Sequence, residues 1–320
     1  MNTCRDVARR GLLALGPALP ALLAPRLGRA QPARPTALAT TGMVADLVRG
    51  VAGEAFQVQA LIGEGVDPHL FRPTRQDVAR LLRADALFFN GHRLEGRMTD
   101  VLERARGQGR PVLAVAETLP RARLRPNEDY PDAADPHVWM DPSLWADCAP
   151  AVAATLAQVR TGDYARGVEE TRRRYARLDA YAREVLAPIP RESRVLLTAH
   201  DAFGYFGARY GLEVQSIQGL STEAEASLAR IESLVRLIVE RRIPAVFAES
   251  SVPDRAIRAL IEGAGARGQR LAMGGVLFSD SMGRPGTYTG TYEGMMDHNI
   301  TTIARALGGS PPPRGLNGRL

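Results

Sequence analysis

The chain has 320 residues, 45% of them apolar and 24% charged, as in a soluble globular protein with room for one large or two ordinary cores. Its formal net charge of +6 is not a nucleic-acid signature: no lysine is present, all 41 basic residues are arginine, and residues 1–30 carry +4 of the total. The remaining +2 is spread without a dense basic run, so no nucleic-acid partner is expected.

Residues 1–30 read as an export signal. Arg5, Arg9 and Arg10 precede an apolar stretch from Gly11 to about Ala24, and Gly28-Arg29-Ala30 supplies small residues for cleavage. Arg9-Arg10-Gly11-Leu12-Leu13 resembles a twin-arginine signal, and a general secretory signal is the equal alternative. The stretch is short and broken by Pro17 and Pro20, so no membrane-spanning helix is expected here or later. Cys4 lies ahead of the apolar stretch and is not placed for lipid attachment. Cys148 is then the one cysteine of the mature chain, expected as a small buried apolar group.

From residue 36 strands and helices alternate. Thr36–Thr40 reads as a strand, Met43–Val51 as a helix and Phe56–Ile62 as a strand. Thr74 is placed to cap a helix, with Asp77 three residues on. Strands are expected at Ala86–Asn90 and Val112–Ala116, a loop from Pro120 to Pro136, and a helix over Pro142–Val159. Tyr164 to about Ala187 has no proline and is rich in Arg and Glu, which predicts a rigid connecting helix of about 36 Å. The second half repeats the alternation. Strands are expected at Arg194–Ala199, Leu212–Ile217, Ala245–Glu249 and Leu271–Phe278, and helices at Ala202–Tyr210, Glu223–Arg241, Asp254–Ala264 and Tyr292–Leu307. Residues 310–320, opening Ser-Pro-Pro-Pro, are expected to be a disordered tail. The predicted architecture is α/β, with lobes at 36–162 and 189–309, mainly parallel sheets, and a single long helix at 163–188 between them.

Two Asp-Pro-His tripeptides, at 67–69 and 135–137, stand out in a chain with five histidines, and proline fixes the backbone before each imidazole. His69, His137, His200 and Asp280 all fall at strand ends or helix starts, where open α/β sheets bind ligands. Two come from each half, so they converge only if the halves face each other across a cleft. Three neutral imidazoles and a carboxylate suit zinc, manganese or ferrous iron. Asp67, Asp135, Asp141 and Asp201 are close enough in sequence to orient those imidazoles. Glu249 is equally an orienting partner or a salt-bridge residue. His92 and His298 read as cap or surface residues.

Several ordered stretches carry a family resemblance: Gly65-Val66-Asp67-Pro68-His69-Leu70-Phe71-Arg72-Pro73-Thr74, Asp135-Pro136-His137-Val138-Trp139-Met140-Asp141-Pro142, Thr198-Ala199-His200-Asp201-Ala202-Phe203-Gly204, Ile217-Gln218-Gly219-Leu220-Ser221-Thr222-Glu223 and Leu277-Phe278-Ser279-Asp280-Ser281. Over about residues 36–308 the chain resembles the cluster A-I solute-binding proteins of ABC importers, the manganese, zinc and iron receptors of the TroA and ZnuA type. The resemblance implies two lobes joined by one helix and a metal site in the cleft between them, with His69, His137, His200 and Asp280 as ligands. It also implies delivery of the ion to an ABC permease with its cytoplasmic ATPase. Many dedicated manganese receptors have glutamate where His200 stands, so the histidine implies zinc or mixed manganese and zinc binding. The loop from Pro120 to Asp135 lacks the His-rich insertion of many zinc receptors, so both metals stay open, with iron behind them.

The expected protein is therefore a periplasmic, monomeric metal receptor whose rigid linker limits lobe motion to small cleft and loop shifts. The alternative is an exported metal-dependent hydrolase. Catalytic zinc usually has three protein ligands and a vacancy, whereas four are available here, and no His-Glu-x-x-His helix is present.

Overall fold

The computed structural model describes residues 34–320 apart from 107, 108 and 129. The expected export signal, with either secretion route, lies outside the described residues.

The first half begins with strand β1 (Thr36–Ala39) and helix α1 (Gly42–Ala52), whose start is capped by the Thr41 hydroxyl accepting from the Val44 N–H. Next come β2 (Gln57–Ala60) and α2 (Arg75–Arg83). Thr74 and Asp77 form a reciprocal capping box, so this helix starts where the sequence predicts. Strand β3 (Ala86–Phe89), helix α3 (Thr99–Arg106) and strand β4 (Val112–Ala114) complete a parallel sheet in the order β2-β1-β3-β4.

The helix expected over Pro142–Val159 is two helices, α4 (Pro142–Asp147) and α5 (Ala149–Val159). Pro150 has no N–H to continue the ladder and crowds the preceding turn, so the chain restarts there with proline in the first turn of α5. Cys148 sits at the break, buried and reduced, and burial pushes its thiol up to about 12. Helix α6 (Ala165–Leu186) is the long connector. Its 22 residues give about 33 Å, and Tyr175, Leu178, Tyr181 and Val185 form its buried stripe.

In the second half, β5 (Val195–Thr198), α7 (Gly204–Tyr210), β6 (Glu213–Ser216), α8 (Leu228–Arg241), β7 (Ala245–Glu249), α9 (Arg255–Gly265), β8 (Ala272–Leu277) and α10 (Tyr292–Leu307) follow. Strands β5 and β6 pair in parallel, as do β7 and β8, and β5 lies beside β7. These are two separate two-stranded sheets, but with β5 beside β7 the strands lie in the sequence β6, β5, β7, β8, which repeats the arrangement of the first sheet. Helix α8 begins five residues later than expected, because Ser227 supplies the cap and the preceding residues form a loop.

One continuous apolar core runs through α1, α4, α5, α6 and α10 and reaches Trp139 in the first half and Phe203 in the second. Smaller cores, around Leu38, Leu81 and Leu102 and around Val195, Ile238 and Leu260, lie on the other sides of the sheets. Among the described residues no helix is long and apolar enough to cross a membrane.

The expected disordered tail is corrected. Residues 310–320 fold back on α10: the Leu316 N–H donates to the buried Asp297 carboxylate at 2.8 Å, and the Asn317 amide donates to Tyr288 Oη and Glu293. Composition alone did not foresee that the buried Asp297 carboxylate would take a donor from Leu316 in the tail.

Candidate metal centre

Each chemistry-bearing loop leaves the carboxyl end of a strand. His69 lies between β2 and α2, His137 between β4 and α4, His200 follows β5, and Asp280 follows β8. The structure brings all four together, buried, with one donor atom from each within 4.8 Å of every other. The His200 Nε2 lies 3.1 Å from Asp280 Oδ2, the His69 Nε2 3.4 Å from the same oxygen, and the His137 Nε2 3.5 Å from Oδ1. Donors at about 2.1 Å around a tetrahedral ion are themselves about 3.4 Å apart, so the spacing is that of a coordination shell.

Unpaired polar atoms point the same way. The three Nε2 atoms and both Asp280 oxygens are buried without a hydrogen bond, although buried polar atoms are ordinarily paired. They share one small volume. Such a set is unfavourable alone and is satisfied together by a cation.

Carboxylates on the far side hold two of the rings. His137 Nδ1 lies 2.8 Å from Asp135 Oδ1, which also accepts the His137 backbone N–H at 3.0 Å. His200 Nδ1 lies 2.5 Å from Glu249 Oε2, and the His200 backbone N–H donates to Glu249 Oε1 at 2.8 Å. Each carboxylate fixes the proton on Nδ1 and leaves the Nε2 lone pair directed inward. Burial opposes a charge on His200, but the Glu249 and Asp280 carboxylates outweigh it and raise its pKa well above the usual imidazole value. Burial would likewise raise Asp280, yet His200, with His69 and His137, holds it well below the usual carboxylate range.

Of the carboxylates proposed from sequence, Asp135 orients an imidazole and Asp67 accepts the His69 backbone N–H at 2.8 Å. Asp141 instead caps α4 through the Ser143 and Leu144 N–H groups. Asp201 is raised by burial, against the opposing influence of His137 and His200, and it is not the hydrogen-bond partner of either Nδ1. Glu249 resolves as the partner of His200. His92 and His298 stay outside the cluster: His92 Nδ1 accepts from the Ala134 N–H, and His298 Nε2 meets the Val276 carbonyl at 2.9 Å.

Sequence reasoning missed the pieces that join the two halves. Trp139 packs edge-on against His137, with ring centroids 5.3 Å apart, and its Nε1–H donates to the Ser279 carbonyl at 3.0 Å. Tyr292 on α10 donates to the Trp139 carbonyl at 2.6 Å. A tryptophan two residues after a candidate ligand was the available signal.

A family model for ZnuA, the periplasmic component A of a zinc-uptake complex, matches residues 38–306. The chain belongs to the ZnuA family. Similar relatives include the manganese-binding lipoprotein MntA of Bacillus subtilis, 41% identical over 84% of this chain and 88% of that protein. The zinc-binding protein TroA of Treponema pallidum is 42% identical over 86% of this chain and 89% of its own. The solved structure of that periplasmic zinc-binding TroA superposes with a TM-score of 0.82, covering 86% of this chain and 99% of that one. ZnuA-family members are transport binding proteins of ABC importers, so this chain is an extracytoplasmic substrate-binding component and not an enzyme.

Proposed function

We propose that the chain captures manganese or zinc in the periplasm, with His69, His137, His200 and Asp280 as the ligands, and delivers the ion to an ABC permease. The observation that carries this reading is the convergence of five buried, unpartnered donor atoms from four loops. Three imidazoles and a carboxylate suit zinc, and both Asp280 oxygens face the imidazoles, which also allows the higher coordination number that manganese accepts. Relatives at 41% and 42% identity are named for manganese and for zinc respectively, which supports both ions.

Delivery requires release, and α6 limits how release occurs. It packs along α1, α4, α5 and α10, within a core shared by both halves, so wide hinge opening would expose a large apolar area. Small shifts of the site loops are the motion this core permits.

The test is elemental analysis of the protein taken from its native periplasm, followed by competitive titration of the metal-free chain with manganese and zinc. One equivalent of one of these metals supports the proposal. Binding of neither metal overturns it. Metal content after overexpression is not a substitute, because zinc outcompetes manganese at most nitrogen and oxygen sites.

A further inference from the structure

The stretch Ile217–Glu223 carries part of the family resemblance yet gives no atom to the four-residue cluster. It lies in the loop ahead of α8 and crosses to the other half of the molecule. The buried Thr222 hydroxyl donates to Asp67 Oδ2 at 2.5 Å, and Asp67 Oδ1 accepts the backbone N–H of His69 at 2.8 Å. A second contact ties the start of the His69 loop to the residue after Asp280: the Gly65 N–H donates to Ser281 Oγ at 2.6 Å. The second half of the chain thus grips the His69 loop at two points.

His69 is the ligand that needs such a grip. The rings of His137 and His200 are each fixed by a carboxylate on Nδ1. Among the described residues no carboxylate bonds the His69 ring in this way, and its orientation comes through its backbone. His69 also borders a cavity of about 250 Å³ whose other walls include Arg97, Leu220, Ser221 and Glu223. Across that cavity Arg97 and Glu223 form an ion pair at 3.3 Å; it is exposed and contributes little by itself.

We propose that Thr222 is a positioning residue for His69. Its hydroxyl holds the Asp67 carboxylate, Asp67 holds the His69 backbone, and the imidazole is thereby kept facing Asp280. Withdrawal of the Leu220–Glu223 segment breaks the hydroxyl–carboxylate bond, frees His69 first, and opens the ion to the cavity. The proposal rests on the reading of the four residues as ligands, and it assigns one of them as the exchanging ligand.

Thr222→Val keeps the side-chain volume and removes the donor. In the zinc-loaded chain mixed with excess chromogenic chelator, zinc release should be about tenfold faster than in the wild type. Thr222→Ser, which keeps the hydroxyl, should release zinc at the wild-type rate. Asp67→Ala should accelerate release at least as much, and adding Thr222→Val to it should change nothing more, because the hydroxyl then has nothing to hold. Release by Thr222→Val within about twofold of wild type would overturn the proposal, as would effects of Thr222→Val and Asp67→Ala that simply multiply. His137→Ala, titrated in parallel, separates the two readings. Wild-type zinc affinity in that variant means the ligand assignment fails. Loss of zinc there, with unchanged release from Thr222→Val, means that only the positioning role fails.

Discussion

Glu249→Gln tests how the protein would tune His200 as a proposed ligand. The substitution preserves shape but removes the charge behind His200, and it replaces one of the two oxygens that Glu249 now uses to accept N–H groups with an NH2 donor. A hydrogen bond to a charged group contributes about 1.5–3 kcal/mol. Removing the outer partner of a metal-bound histidine typically costs about 10–100-fold in affinity, or about 1.4–2.7 kcal/mol, the same range. Protons add a distinctive pH dependence. Glu249, with Asp280, raises the His200 pKa, so in the wild type a proton competes with the ion below that raised value. In Glu249→Gln the imidazole releases its proton at a lower pH. Competitive zinc titrations between about pH 6 and about pH 9 should therefore show the variant about 10–100-fold weaker at the alkaline end, with the gap narrowing on acidification. A gap independent of pH, or alkaline affinity equal to the wild type, would refute the argument that Glu249 acts through the basicity of His200.

The remaining predictions concern stability and the ligands themselves. In the metal-free chain the raised His200 pKa stabilises the fold fully below the unfolded imidazole value near 6.5, and this contribution is lost as pH rises through the folded value. The melting temperature of metal-free protein should thus fall on alkalinisation while the increment from added zinc grows; parallel curves with and without metal would contradict this. His137→Ala or Asp280→Ala should reduce affinity in calorimetric titration by more than the about 100-fold upper figure for an outer partner. Gly167→Ala should destabilise the protein by about 1–3 kcal/mol in urea despite alanine's better helix propensity. A Cβ there would lie 2.3 Å from the Val51 carbonyl oxygen, where α6 crosses α1. Truncation after residue 309 should cost about 1–3 kcal/mol, because buried Asp297 loses the Leu316 N–H.

Much of the fold was legible because local chemistry and tertiary structure agree. The Thr74–Asp77 capping box, the apolar runs of β3 and β7 and the proline-free stretch of α6 each report their own structure. That His69, His137, His200 and Asp280 come together was legible because two Asp-Pro-His repeats and two strand-end positions share one chemistry. What could not be read was set by distant partners. Glu249 was ambiguous until β7 was seen beside β5, where its carboxylate meets His200. Thr222 is an ordinary loop threonine until the two halves meet. The tail is proline-rich and polar, yet it packs because Asp297 is buried without enough donors from α10 alone.

An anomalous difference map from crystals of the metal-loaded protein, recorded on either side of the zinc or manganese absorption edge, locates the bound ion. One strong peak is expected, bounded by the Nε2 atoms of His69, His137 and His200 and by the Asp280 carboxylate. A peak elsewhere, with those five donor atoms bonded only to protein or solvent, would contradict the ligand assignment.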